Sequence, residues 1–211
     1  MVELSQEDIK KIDEFLMRHK VKFIDVRLEL IDHLASKYEL ENQNEKLHAF
    51  LMRNRDFIKT FIKERQSKIH WAYQKQIIKQ VALFFYKPRF LIFTALIILV
   101  LFNIKELNAQ KITLWLFLGS ITTPLAIALY KQIRAQSKLK KIQSYQTVCS
   151  IMSLPSLFLY MFTPIKNHLP FDGNLFYIYW FIALIMGISG LIVFNKLLKE
   201  TYENYNKIVF A

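Results

Sequence analysis

A single cysteine, Cys149, rules out an internal disulfide, and its place at the start of an apolar stretch suits a small packed residue better than a redox centre. Four glycines in 211 residues supply no Gly-rich phosphate loop. Neither HExxH nor CxxC occurs, so the common metal-ligand spacings are missing as well. There is no internal repeat and no low-complexity tract. The N-terminal LSQEDIKKIDEF is charged and lacks the apolar core of a signal peptide. Acid is in short supply: 29 Lys and Arg face 17 Asp and Glu, for a formal charge of +12.

What the chain has is apolar bulk, 53% hydrophobic and 15% aromatic, gathered towards the C-terminus. Four stretches carry no charge: Phe90 to Ile104, Ile112 to Tyr130, Ile142 to Ile165, and Gly173 to Asn195. About 20 helical residues cross a hydrocarbon core of roughly 30 Å, so the last three are long enough as they stand. The first rises only about 22 Å and spans only if Lys87, Arg89 and Lys105 snorkel at its ends or the bilayer thins there. None of the four holds an ionisable side chain of the kind that ion-coupled transporters and intramembrane hydrolases place among their helices. They hold small residues instead, notably Ala183, Gly187 and Gly190 in the last, at spacings expected to let helices pack closely.

Orientation follows from Lys and Arg. The link between the second and third runs carries Lys131, Arg134, Lys138, Lys140 and Lys141; the other two carry Lys105 and Lys111, and Lys166. The positive-inside rule puts the five-residue cluster in the cytoplasm, and four spans bring both termini to the same side of an inner, or plasma, membrane.

The first 89 residues are electrically divided. Residues 1–45 hold 7 basic and 11 acidic side chains, and residues 46–89 hold 11 basic and 2 acidic. The basic part abuts the first span, where Lys75, Lys79, Lys87 and Arg89, with Lys138, Lys140 and Lys141 of the middle link, are expected to meet anionic lipid headgroups. Ile69, Tyr73, Ile77, Val81 and Phe85 recur every four residues, the pattern of an interfacial helix ended by Pro88. Ahead of it, Ser5 with Asp8 resembles a capping box before a helix reaching about His19, Asp25 is placed to cap a second helix reaching about Leu40, and a third begins near Glu45. The chain therefore reads as all-α: a cytoplasmic three-helix module (1–66), an interfacial linker helix (67–88), a four-helix transmembrane bundle (89–196) and a cytoplasmic tail (197–211).

The second helix, DVRLELIDHLASKYEL, gathers Asp25, Glu29, Asp32, His33 and Ser36 within about 100° of arc and leaves a broad apolar face opposite. Glu29 and His33 are spaced for a metal, but nothing supplies the remaining ligands of a closed site. Asp32 and His33, being adjacent, diverge too far for a catalytic pair. Two readings remain: a docking face for a basic partner, or carboxylates paired with Lys10, Lys11 or Arg18 of the first helix or simply solvated. The stretch LELIDHLASKYE, with a looser likeness over residues 5 to about 62, resembles the bacterial HAAS-type membrane-associated signalling proteins. The resemblance implies a helical module coupling a membrane anchor to transcriptional control, often beside PadR-type repressors, with Asp32 and His33 at the signature positions. The Gly-Pro turn usual after the third helix of such modules is missing here. The function expected is that of a non-enzymatic regulator or adaptor without metal or cofactor, bound to a cytoplasmic protein or to a second copy of itself. The alternative is a small transporter or lipid-handling component. Nucleic acid is not expected as a partner, because the basic charge lies beside the membrane.

Overall fold

The computed structural model describes residues 4–41, 45–107, 109–165 and 173–210. Every regular element among them is a helix: α1 (Gln6–Arg18), α2 (Ile24–Glu41), α3 (Leu47–Arg53), α4 (Arg55–Tyr86), α5 (Pro88–Glu106), α6 (Gln110–Leu139), α7 (Gln143–Ser150), α8 (Ser153–Ile165) and α9 (Asn174–Phe210).

The N-terminal helices form through local signals that the sequence carries openly. Ser5 caps α1, its hydroxyl accepting from the Asp8 amide at 3.2 Å. The same hydroxyl donates to the Asp8 carboxylate, and this bond, followed by that from Lys11, holds the Asp8 pKa below its ordinary value. α1 ends where Lys20 takes a left-handed φ of 65°: Val21 N–H donates to Leu16 and Lys20 N–H to Met17, each at 3.0 Å, closing a Schellman turn. The turn lays Val21 on Leu16 and feeds a core of Ile12, Phe15, Leu30, Leu34 and Phe50, joined by Ile58 from the first turn of α4. Each such buried side chain contributes about 1.5–3 kcal/mol. Asn54, buried between α3 and α4, accepts from Lys37 of α2 at 2.9 Å and donates to Phe50 O at 2.9 Å.

Three helices are long and apolar enough to cross a membrane: α5, α6 and α9 up to Ile208. They mark the chain as a membrane protein by length and composition, and α5 turns Leu91, Ile92, Leu96, Leu99 and Phe102 outward, as a lipid-facing helix does. Because Pro88 is itself helical, α5 has 19 residues and rises about 28 Å, close to a full crossing.

The third apolar run does not form one spanning helix. It divides at Ile151 and Met152 into α7 and the 13-residue α8. Pro155 explains the break: it has no N–H for the Ile151 carbonyl and its ring would clash there, whereas in the first turn of α8 it costs nothing. Pro124, by contrast, sits inside unbroken α6, where the Thr122 and Thr123 hydroxyls bond carbonyls of Leu118 and Gly119 in the preceding turn.

α9 is the spine against which α4, α5, α6, α7 and α8 all pack. At its start, Phe176 and Trp180 join Phe117 of α6 and Phe162 of α8 in an aromatic cluster, with Phe117 4.6 Å from Phe162 and 5.2 Å from Phe176 between ring centres. Towards its end, Val193, Phe194 and Leu197 pack with Leu139, Val148 and Ile77. α4 thus applies Ile77, with Tyr73 and Val81 beside it, to protein. The stretch 197–211 continues α9 as helix through Phe210, with Leu197, Leu198 and Thr201 buried.

Candidate functional site

The five polar residues gathered on α2 separate into two groups in the fold. Asp25 turns inward to the seam between the N-terminal helices and the α6–α7 link, and Glu29 bonds Arg65 at its exposed edge. Asp32, His33 and Ser36 stay exposed.

At the seam, Asp25 caps a helix other than its own. α7 begins after Ile142, whose side chain offers no cap, and the Asp25 carboxylate accepts instead from the amides of Gln143 at 2.9 Å and Ser144 at 3.3 Å and from the Ser144 hydroxyl at 3.0 Å. One residue earlier, the Ile24 amide donates to Lys141 O at 3.0 Å. Arg65 of α4 closes the cluster. Its guanidinium donates to Glu29 at 2.5 Å, to Gln143 Oε1 at 2.6 Å and to Asp25 at 3.4 Å. The Arg65 and Asp25 side chains are only 16% and 10% exposed, so this ion pair is shielded from water in a way that surface pairs are not. One planar fork thereby ties α2, α4 and α7 together, a geometry that a lysine's single ammonium does not reproduce.

Around the clamp the seam is mixed, with Phe23 and Ile24 among its polar side chains. A cavity of about 450 Å³ opens beside the clamp between α4 and α7, lined by Lys63, Gln66, His70, Gln143, Gln146 and Ser150 among others. Ile24 of α2 packs on the core around Ile142 and Val148 beside it, and α4 runs unbroken from Ile58 in the N-terminal core to Ile77 in that core, so the clamp adds to an apolar and a covalent attachment.

The carboxylates at the seam therefore pair with Arg65 rather than with Lys10, Lys11 or Arg18. The link between α1 and α2 runs the other way, from Arg27 to Asp13 at 2.7 Å. Glu29, committed to Arg65, makes no pair with His33, whose ring lies edge-on to Phe61 at 5.3 Å. No cluster of three metal-ligating side chains occurs among the described residues. Of the broad apolar face of α2, Val26, Leu30 and Leu34 are buried in the core, but Leu28 and Leu40 remain 48% and 78% exposed.

The small residues of α9 meet prolines. Gly187 lies against Pro124 of α6 and Gly190 against Pro155 of α8, while Ala183 is buried in the aromatic cluster. Lys75, Lys79, Lys87, Arg89, Lys138, Lys140 and Lys141 are all exposed.

Sequence reasoning missed Arg65, Gln143 and Ser144. A usable signal for the last two is that QSYQTVCS, though free of charge, is polar and opens a helix without a capping side chain of its own. The chain matches no protein-family model, no curated protein and no solved structure.

Proposed function

We propose that the chain is a non-enzymatic regulator or adaptor of the plasma membrane, whose N-terminal helices dock a cytoplasmic protein partner with basic character, a transcriptional regulator being the kind that the HAAS-type resemblance suggests. The observation that carries this reading is the division of the α2 stripe: Asp25 and Glu29 are spent on the clamp, while Asp32, His33 and Ser36 face outward with Leu28 and Leu40 exposed on the same helix. A module joined to the membrane helices through the clamp and still presenting a mixed polar and apolar face has the makings of a docking surface.

The orientation is part of the proposal. Its support is that α2 contacts Lys141 directly, so the N-terminal helices and the Lys-rich link lie on one side, and that the C-terminal half of α9 packs against α7 and α4 there. We take α7 and α8 in series as the remaining crossing, since Val148 pairs with the Phe194 level of α9 and Phe162 with the Phe176 level.

A photo-activated cross-linker at position 36 tests the docking reading in native membranes. The expected result is one discrete protein adduct, lost when Asp32→Ala and His33→Ala are introduced together. Those substitutions remove exposed side chains and should change stability by less than about 1 kcal/mol, with circular dichroism unchanged. An adduct of equal yield in the variant, or none in either chain, contradicts the reading.

The alternative, a small transporter or lipid-handling component, draws on the interruption between α7 and α8, a device with which transporters line their sites. It requires solute or lipid transfer in reconstituted vesicles, which the adaptor reading does not.

A further inference from the structure

Where α4 gives way to α5, the chain builds an elbow. Pro88 stops α4 at Tyr86 and starts α5, so that Lys87 and Arg89 stand either side of the bend. The elbow does not close against α9. It leaves a groove of about 830 Å³, within the range of about 300–1,000 Å³ typical of ligand sites.

The chemistry of this groove is two-sided. Its floor is aromatic, with Phe84 4.8 Å from Phe90 and 6.1 Å from Phe93 between ring centres, and Ile188 and Ile192 of α9 form the opposite wall. Its rim is cationic. Lys87 and Arg89 are exposed and form no ion pair among the described residues. No carboxylate is near in sequence to offer one: between Glu64 and Glu106 the chain has neither Asp nor Glu, and on α9 the first acid is Glu200, eight residues beyond Ile192. Two neighbouring positive charges over an apolar trough call for a molecule that is anionic at one end and hydrocarbon at the other.

Depth selects the same molecule. On α5 the charge-free run starts immediately after Arg89, and on α9 it ends at Asn195, three residues past Ile192. The groove straddles the boundary between hydrocarbon and headgroups, where a lipid phosphate meets the start of its acyl chains.

We infer that the elbow groove binds one anionic phospholipid of the adjoining leaflet, its phosphate between Lys87 and Arg89 and an acyl chain along Phe84, Phe90, Phe93 and Ile188. The inference rests on the chain spanning a membrane and is independent of the partner proposed for α2.

Native mass spectrometry of the full-length protein, equilibrated in micelles with phosphatidylglycerol or with phosphatidylcholine, tests it. The wild type should retain one phosphatidylglycerol under collisional activation that strips phosphatidylcholine. Lys87→Gln with Arg89→Gln should lower that preference about 10- to 30-fold, as the loss of two surface cations implies. Ile188→Trp, which fills the trough and leaves both cations, should reduce retention of the lipid while circular dichroism stays unchanged, and Lys10→Gln with Lys46→Gln, which removes two exposed cations of the N-terminal module, should leave it as in the wild type. Equal retention of the two lipids by the wild type would mean ordinary annular lipid and overturn the site. So would an equal loss of the preference in the Lys10 and Lys46 variant, or displacement of the lipid by inorganic phosphate.

Discussion

Replacing Arg65 with Ala should loosen the N-terminal helices from the membrane helices while leaving both parts helical. From α4, Arg65 bonds α2 and α7 at once, through Glu29, Asp25 and Gln143. Its removal leaves the Asp25 carboxylate, 10% exposed, on the α7 amides without its cation. Exposed pairs contribute up to about 1 kcal/mol and breaking a fully buried one costs about 3–5 kcal/mol. This half-enclosed cluster should fall between, near about 2 kcal/mol. Hydrogen exchange would report it at the Gln143, Ser144 and Ile24 amides, which the seam protects, with about 30-fold faster exchange in the variant. Arg65→Lys should be intermediate, because one ammonium keeps the charge but cannot span three acceptors. Unchanged exchange at those three amides would mean that the seam holds without its clamp.

The second large effect should come from one methyl group. A Cβ at Gly190 would stand 2.6 Å from Pro155 Cγ and 3.3 Å from Met152 Sδ, and a proline ring cannot swing aside. Gly190→Ala should therefore push α8 off α9 and cost about 1–3 kcal/mol, the usual range for overpacking. Gly187→Ala is the internal control. Its Cβ would meet Pro124 Cγ at 3.5 Å, an ordinary contact, so that variant should melt with the wild type. Thermal unfolding in detergent distinguishes them, and equal midpoints for the two variants would contradict the close approach of α8 to α9.

The sequence shows most of this fold wherever a single local rule decides the outcome. The Ser5 cap, the end of α1 near His19 and the start of α5 at Pro88 each depend on a few adjacent residues. The apolar runs of α5, α6 and α9 are equally plain. The third run was harder, because freedom from charge is not the same as being apolar: QSYQTVCS is polar, and Pro155 interrupts what looks like one continuous span. Asp25 marks the second limit. Local reasoning makes it the cap of α2, but α2 already begins at Ile24 and the carboxylate serves α7, 118 positions away along the chain. Arg65 is one of 11 basic residues between 46 and 89, and nothing in its immediate neighbours sets it apart. A clamp among three helices is a property of tertiary packing, which periodicity does not encode.

The clamp is also the most direct place to test whether the N-terminal helices and the membrane helices act as one body. Ile24→Cys with Lys141→Cys, in a Cys149→Ser background, places two thiols where the backbones now share a 3.0 Å hydrogen bond. Mild oxidation in native membranes should give rapid intramolecular cross-linking, slowed markedly when Arg65→Ala is added. A pair that fails to cross-link with Arg65 intact would place the N-terminal helices away from the α6–α7 link and contradict the account.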